Sequence, residues 1–298
     1  MVPRPPNDAS VLALFQVFAA HECVLLKRSQ ALRKFLGGRS RTLFQPLPYE
    51  PAHIAEQVFR GRLSASDIIA NHSLANVLAL CHEDAEKPSY INSLKFAEML
   101  PISRGATTMR SCPSCVAEDL KNYGFGYWRA SHQWSVLRHC IMHKKALQHG
   151  CGRCGRWKLV RTGWSERPES PCSVCGSRDK IALEVPQSDG YAEYVRIFQQ
   201  ARWKPEALSR DALNRLRLKV ARLRLGASRP TIYDFFQMRG DKSIALRNAL
   251  GCGKLTPAEV EALHSGQYVG PRPTAYIAGF AYLKWVLRSA ANDMLRPS

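Results

Sequence analysis

Hydrophobic positions in the first hundred residues recur at helical, not strand, spacing. Val11, Leu14, Phe15 and Phe18 form one stripe, which predicts a first helix capped by Asp8 or Ser10 behind an extended, Pro-rich lead-in over residues 1–9. A basic helix containing Lys27, Arg28, Arg33 and Lys34 follows and is broken by Gly37-Gly38. Ser64-Ala-Ser-Asp opens another helix, which runs toward Cys81 with Asn71-His72-Ser73-Leu74 inside it. The pattern predicts a helical, helix-turn-helix-like N-terminal domain over residues 1–105, built of roughly four to six short helices.

The helical rhythm returns after Pro186–Gly190, the expected boundary of a C-terminal domain over residues 186–298. Leu213, Leu216, Val220 and Leu223 make one stripe, with Arg215, Lys219 and Arg222 on another face of the same helix. Gly226 allows a sharp turn, and Ser228 caps a second helix over 229–238 with Pro230 in its first turn. This is a helix-turn-helix pattern, in which Arg229, Thr231 and Tyr233 would face a DNA groove or its phosphates. A helical hairpin that contacts a protein or a nucleoprotein fits the same residues. Thr256-Pro257-Ala258-Glu259 is a capping box, and Tyr276, Phe280, Leu283 and Leu287 mark a last helix over about 273–292.

Between the helical parts, over residues 106–185, cysteines replace the stripes. Seven of the ten cysteines fall between Cys112 and Cys175. Cys112/Cys115 and Cys140/His143 make one quartet; Cys151/Cys154 and Cys172/Cys175 make a second. Two ligands two residues apart can reach one ion across a tight turn, and two such pairs close a tetrahedron around Zn²⁺. Disulfides suit a small secreted scaffold, whereas here the cysteines cluster in a long chain whose start, Met1-Val-Pro-Arg-Pro-Pro, carries no apolar signal segment. Redox chemistry does not need three Cys-x-x-Cys pairs and a Cys-x-x-His. Both quartets are complete with protein ligands, the pattern of a structural ion and not of a catalytic one. His132, His139 and His149 lie outside the two-residue gaps, and His72, Cys81 and His82 complete no set. Tyr127, Trp128 and Trp134 supply a miniature core. The expected fold class is mainly α with small zinc-ribbon or zinc-knuckle β elements, two zinc ions per chain, and helical domains on either side.

Charge narrows the class of partner. Lys and Arg number 43 against 24 Asp and Glu, a formal +19; seven metal-bound thiolates lower this only to about +16. A surplus of that size points to a polyanion, most often nucleic acid. Residues 196–240 alone hold 11 basic and 3 acidic residues. Arg153, Arg156, Lys158 and Arg161, interleaved with Trp157 and Trp164, suit phosphates and exposed bases, and equally suit a solvated ribbon with packed tryptophans. No apolar run approaches the ~20 residues of a membrane span, so a reduced, cytoplasmic protein is expected.

The string Cys112-Pro-Ser-Cys115-Val-Ala-Glu118-Asp119, then Tyr123-Gly124-x-x-Tyr127-Trp128-Arg129-x-x-His132-Gln133, then Cys140-x-x-His143-x-x-x-Leu147, resembles the signature of the TniQ family, which includes TnsD. The second quartet is also as that family has it. Asp8-Ala-Ser10-Val-Leu12 and Asn71-His72-Ser-Leu74 are similar to its N-terminal segments, without its usual Glu-Ser and Trp; Trp134-Ser135-Val136 replaces a common Leu-Pro-Gly. The resemblance implies a bacterial target-selection protein of Tn7-like transposons, not an enzyme. Its implied partners are the AAA+ ATPase TnsC and either target DNA or a CRISPR effector (Cascade) with its guide RNA, engaged as a TniQ homodimer in many cases. Direct DNA readers of the TnsD kind carry a longer C-terminal part, so a chain of 298 residues favours the CRISPR-linked kind. A zinc-containing transcription regulator is the rival from another class. No nucleophile elbow, phosphate-binding glycine loop or carboxylate cluster argues for catalysis.

Overall fold

A computed structural model describes residues 5–22, 28–35, 51–80, 108–156, 166–223, 235 and 273–294. The chain divides into two compact units, Met1–Ala75 with Pro88–Val185, and Asn76–Lys87 with Pro186–Ser298. The described residues are mainly helical with one small sheet, as the sequence pattern predicts.

In the first unit, α1 (Val11–Glu22), α2 (Arg28–Phe35), α3 (Pro51–His53, continued by a π turn Ile54–Val58) and α4 (Ala65–His72) enclose an apolar core. The α1 stripe is buried as predicted, and Phe35 sits between Phe15 and Phe18 with ring centroids 5.4 and 5.7 Å away. Of the two candidate caps for α1, Ser10 accepts from Ala13 N, whereas Asp8 turns elsewhere. Helix α4 starts at a capping box in which Ser64 accepts from Asp67 N and Asp67 accepts from Ser64 N.

The helix expected to run on toward Cys81 instead stops at His72. Ser73 is extended, its hydroxyl donates to Ile69 O and accepts from Ala75 N, and a new short helix, α5, covers Ala75–Ala79. A side chain that serves the backbone on both sides replaces the ladder at that point. His72 is core, not ligand: it is buried and its Nδ1 lies 2.8 Å from Ala9 O.

The same core is closed by the cysteine-rich segment. Met109, Tyr127 and Trp128 belong to the cluster formed by the helices. Helix α6 (Pro113–Tyr123) begins at Cys112 with Pro113 in its first turn and ends at Gly124, whose φ of 78° suits a residue without a Cβ. A 3₁₀ turn (Ser131–Gln133) follows, then β1 (Gln148–Cys151), which pairs antiparallel with β2 (Lys180–Ala182) across a bulge between His149 and Cys151.

The lead-in is not free. Asp8 adopts φ 69° and its N–H donates to Asn71 O, while Ser10 N donates to Trp128 O and Ala130 N to Asp8 O, both at 2.7 Å. Residues 7–10 thereby form an extra strand-like rung between α4 and the cysteine-rich segment.

The second unit contains α7 (Asp189–Trp203), a 3₁₀ turn (Pro205–Leu208), α8 (Arg210–Arg222) and α9 (Pro273–Met294). Ser188 caps α7 and Ser209 caps α8. Buried Leu213 and Val220 on α8 and Tyr276, Phe280 and Leu283 on α9 match the predicted stripes. Glu193, buried on α7, accepts from Arg196 and from Arg288 of α9. The predicted second helix over 229–238 and the capping box at Thr256 lie outside the described residues, save Phe235.

Candidate metal centres

Two quartets of donor atoms converge: Cys112, Cys115, Cys140 and His143 in one, Cys151, Cys154, Cys172 and Cys175 in the other, with donors within 4.8 Å of one another in each. At the first, His143 Nδ1 lies 3.7, 3.3 and 3.6 Å from the sulfurs of Cys112, Cys115 and Cys140, and Cys115 Sγ is 3.6 Å from Cys140 Sγ. At the second, Cys151 and Cys175 are 3.5 Å apart and Cys154 and Cys172 are 3.6 Å apart. With bonds of about 2.3 Å to sulfur and about 2.0 Å to nitrogen, a tetrahedral zinc needs sulfurs about 3.8 Å apart and sulfur–nitrogen pairs about 3.5 Å apart. Both quartets fit.

The local fold explains how each pair reaches that spacing. Cys140–His143, Cys151–Cys154 and Cys172–Cys175 are knuckles of one design. The first cysteine's carbonyl accepts from the residue four positions on (Lys144, Gly155, Gly176), and its N–H donates to the carbonyl one further (Lys145, Arg156, Ser177). The fourth position is left-handed in all three, at φ 56° for Lys144, 68° for Gly155 and 70° for Gly176. The remaining pair, Cys112/Cys115, uses the first turn of α6, which puts both sulfurs on one side.

Three thiols and an imidazole this close compete for charge. Contacts from Cys115 and Cys140 hold the Cys112 thiol far below the ordinary range, and the contact with Cys112 pushes Cys115 up. At the second quartet the backbone N–H of Cys175 lowers Cys172 to about 6, and that of Cys154 lowers Cys151. A divalent cation would remove the competition by letting every sulfur ionise.

Of the other histidines weighed, none completes a quartet. His132 is fully buried, which pushes its imidazole down to about 4, and its Nε2 lies 3.9 Å from Cys115 Sγ. Around this site, Gln133 joins Arg110 to Arg129 by donating to both carbonyls, and Arg110 donates to the carbonyls of Trp134, Ser135 and Leu137. Arg129 pairs with buried Asp119, which also accepts from Tyr127 N; Asp8 accepts from Ser131 N and Oγ. Asp119 thus works inside the fold.

Residues 1–147 match the family described as TniQ. This segment is a TniQ domain. The TniQ match takes in the α1–α4 core and the first quartet and ends at Leu147, just ahead of the second quartet. Tyr127 and Trp128 of the string that carries the resemblance are buried in the core shared with α1–α4. No curated protein matches the chain.

Of the predicted nucleic-acid contacts, Arg215, Lys219 and Arg222 are exposed on α8, and Arg153 and Arg156 are exposed at the first knuckle of the second quartet. Lys158, Arg161, Arg229, Thr231 and Tyr233 lie outside the described residues. What sequence reading missed is Glu118, whose Oε1 is 2.9 Å from His143 Nε2, and the strap Glu166–Ser170. Glu166 O accepts from both Trp128 Nε1 and Gln16 Nε2, Glu169 accepts from Gly126 N, and Arg167 lies over the Phe125 ring at 4.1 Å. The i, i+3 spacing of Cys115 and Glu118 was the available signal for the first; the strap had none.

Proposed function

We infer that the TniQ domain makes this chain a transposition-associated targeting protein of a non-catalytic family. We propose that this chain is a targeting adaptor that joins a target-recognition complex, a CRISPR effector (Cascade) with its guide RNA, to the AAA+ regulator TnsC and so to the transposase. Residues 106–185 hold two structural zinc ions, the first by Cys112, Cys115, Cys140 and His143, the second by Cys151, Cys154, Cys172 and Cys175. Each ion cross-links segments too short to fold on their own and supplies no open coordination position for chemistry. The TniQ match carries this reading. The formal charge of +19 supports contact with a nucleoprotein. The bacterial cytoplasm, where thiols stay reduced, suits the ligand chemistry.

Arg215, Lys219 and Arg222 recur at i, i+4 and i+7 on one exposed face of α8, the arrangement that tracks a phosphate backbone. Together with Arg153 and Arg156 they are our candidates for the nucleic-acid side.

Co-purification of the tagged full chain with a co-expressed effector and with TnsC tests the reading. Retention of both, with duplex DNA bound only weakly and without sequence preference, is the expected result. Tight sequence-specific duplex binding without an effector would make the chain a direct DNA reader.

A further inference from the structure

Histidine can ligate through either ring nitrogen, and the choice is set by what the other one meets. In His143, Nδ1 faces all three sulfurs of the first quartet, while Nε2 lies 2.9 Å from Glu118 Oε1. Glu118 stands three residues after Cys115 on α6, so one helix face presents a sulfur to one edge of the ring and a carboxylate to the other. Cys115 has a second neighbour. Buried His132 places Nε2 at 3.9 Å from its sulfur, and His132 Nδ1 has no hydrogen-bond partner among the described residues. The nitrogen facing sulfur is therefore the one placed to carry the proton. A neutral ring gives the thiolate one N–H without adding charge.

Among the described residues, the second quartet has no such arrangement. There the sulfurs take hydrogen bonds from backbone N–H groups, of Cys154 and Arg153 at Cys151 and of Cys175 and Val174 at Cys172.

We propose that Glu118 and His132 are positioning residues of the first metal site: Glu118 accepts from His143 Nε2 and fixes it as an Nδ1 ligand, and His132 donates to the Cys115 sulfur. This rests on the zinc reading above, and the second quartet serves as an internal reference in the same molecule.

The test loads the full chain with cobalt(II), whose visible bands report sulfur and imidazole ligation, and measures zinc affinity at each site by chelator competition. Nitrogen-15 spectra of the zinc-loaded chain identify the ligating nitrogen of His143. The expected results are Nδ1 ligation, and an affinity about ten-fold lower at the first site in E118L, with a smaller loss in E118Q. The second site should not change. H132F should move the sulfur-to-cobalt band of the first site alone; if that variant does not fold, H132Q, which keeps an N–H, should retain the wild-type band. Nε2 ligation, or unchanged affinity and bands in E118L, would overturn the proposal while leaving two zinc sites in place. A wild-type chain that takes up no cobalt at either quartet would overturn the zinc reading and this proposal with it.

Discussion

The two quartets have the same two-residue ligand spacing and different surroundings. Cys112, Cys115 and Cys140 are buried, and the segment between them contributes Tyr127 and Trp128 to the core of the helical part. Cys154 is exposed and Cys172 and Cys175 are partly exposed, on turns beside a two-stranded ribbon. Equal spacing therefore does not mean an equal structural task. The first quartet anchors one wall of a shared core, whereas the second joins turns beside the ribbon, and the strap ahead of Cys172 reaches that wall through Glu166.

The comparison breaks most visibly under ligand replacement. Cys112→Ser should abolish the folded state of the first unit, seen as loss of near-ultraviolet circular dichroism and of soluble yield, because it breaks the quartet at the wall of the shared core. Cys172→Ser should lower the metal content from two zinc to one and keep the near-ultraviolet signal. Equal damage from both would erase the distinction drawn here.

A second test removes a support beside the first quartet. Asp119 pairs with Arg129 and is 1% exposed, so Asp119→Ala leaves a guanidinium without its partner against the core. A loss of about 3–5 kcal/mol in denaturant unfolding is expected. A loss under about 1 kcal/mol would mean that the ion pair contributes no more than a surface one.

The smallest effects separate the knuckles. A Cβ at Gly155 or Gly176 meets nothing within 4 Å, so only the left-handed backbone opposes a side chain there. Gly176→Ala should cost about 1 kcal/mol, and Lys144→Gly should relieve a strain of about the same size, both read from thermal unfolding of the zinc-loaded chain. Destabilisation by Lys144→Gly would show that its side chain contributes more than its backbone conformation costs.

Much of this was legible in the sequence for a physical reason. Ligand pairs and amphipathic stripes are local: Cys-x-x-Cys and the Val11–Phe18 period each need only a few neighbouring residues to be recognised. The quartets assembled as the spacing implies, with His143 in place and His132, His139 and His149 outside them. What escaped is non-local. Asp8 meets Ser131 at a separation of 123 residues, and Gln16 reaches Glu166 at a separation of 150, contacts that leave no periodic trace. The break at Ser73 escaped for a different reason: its neighbours continue a helical pattern, while its hydroxyl bonds the backbone on both sides of the break.

The rung formed by residues 7–10 has a consequence for synthesis. Asp8 leaves the ribosome well before Ser131, 123 residues ahead of it. At about 5–20 residues per second that interval is roughly 6–25 seconds. During it, the first helices have been made while Met109, Tyr127 and Trp128, which complete their core, have not. The N-terminal half therefore cannot complete its core until the segment that carries the first quartet has been made.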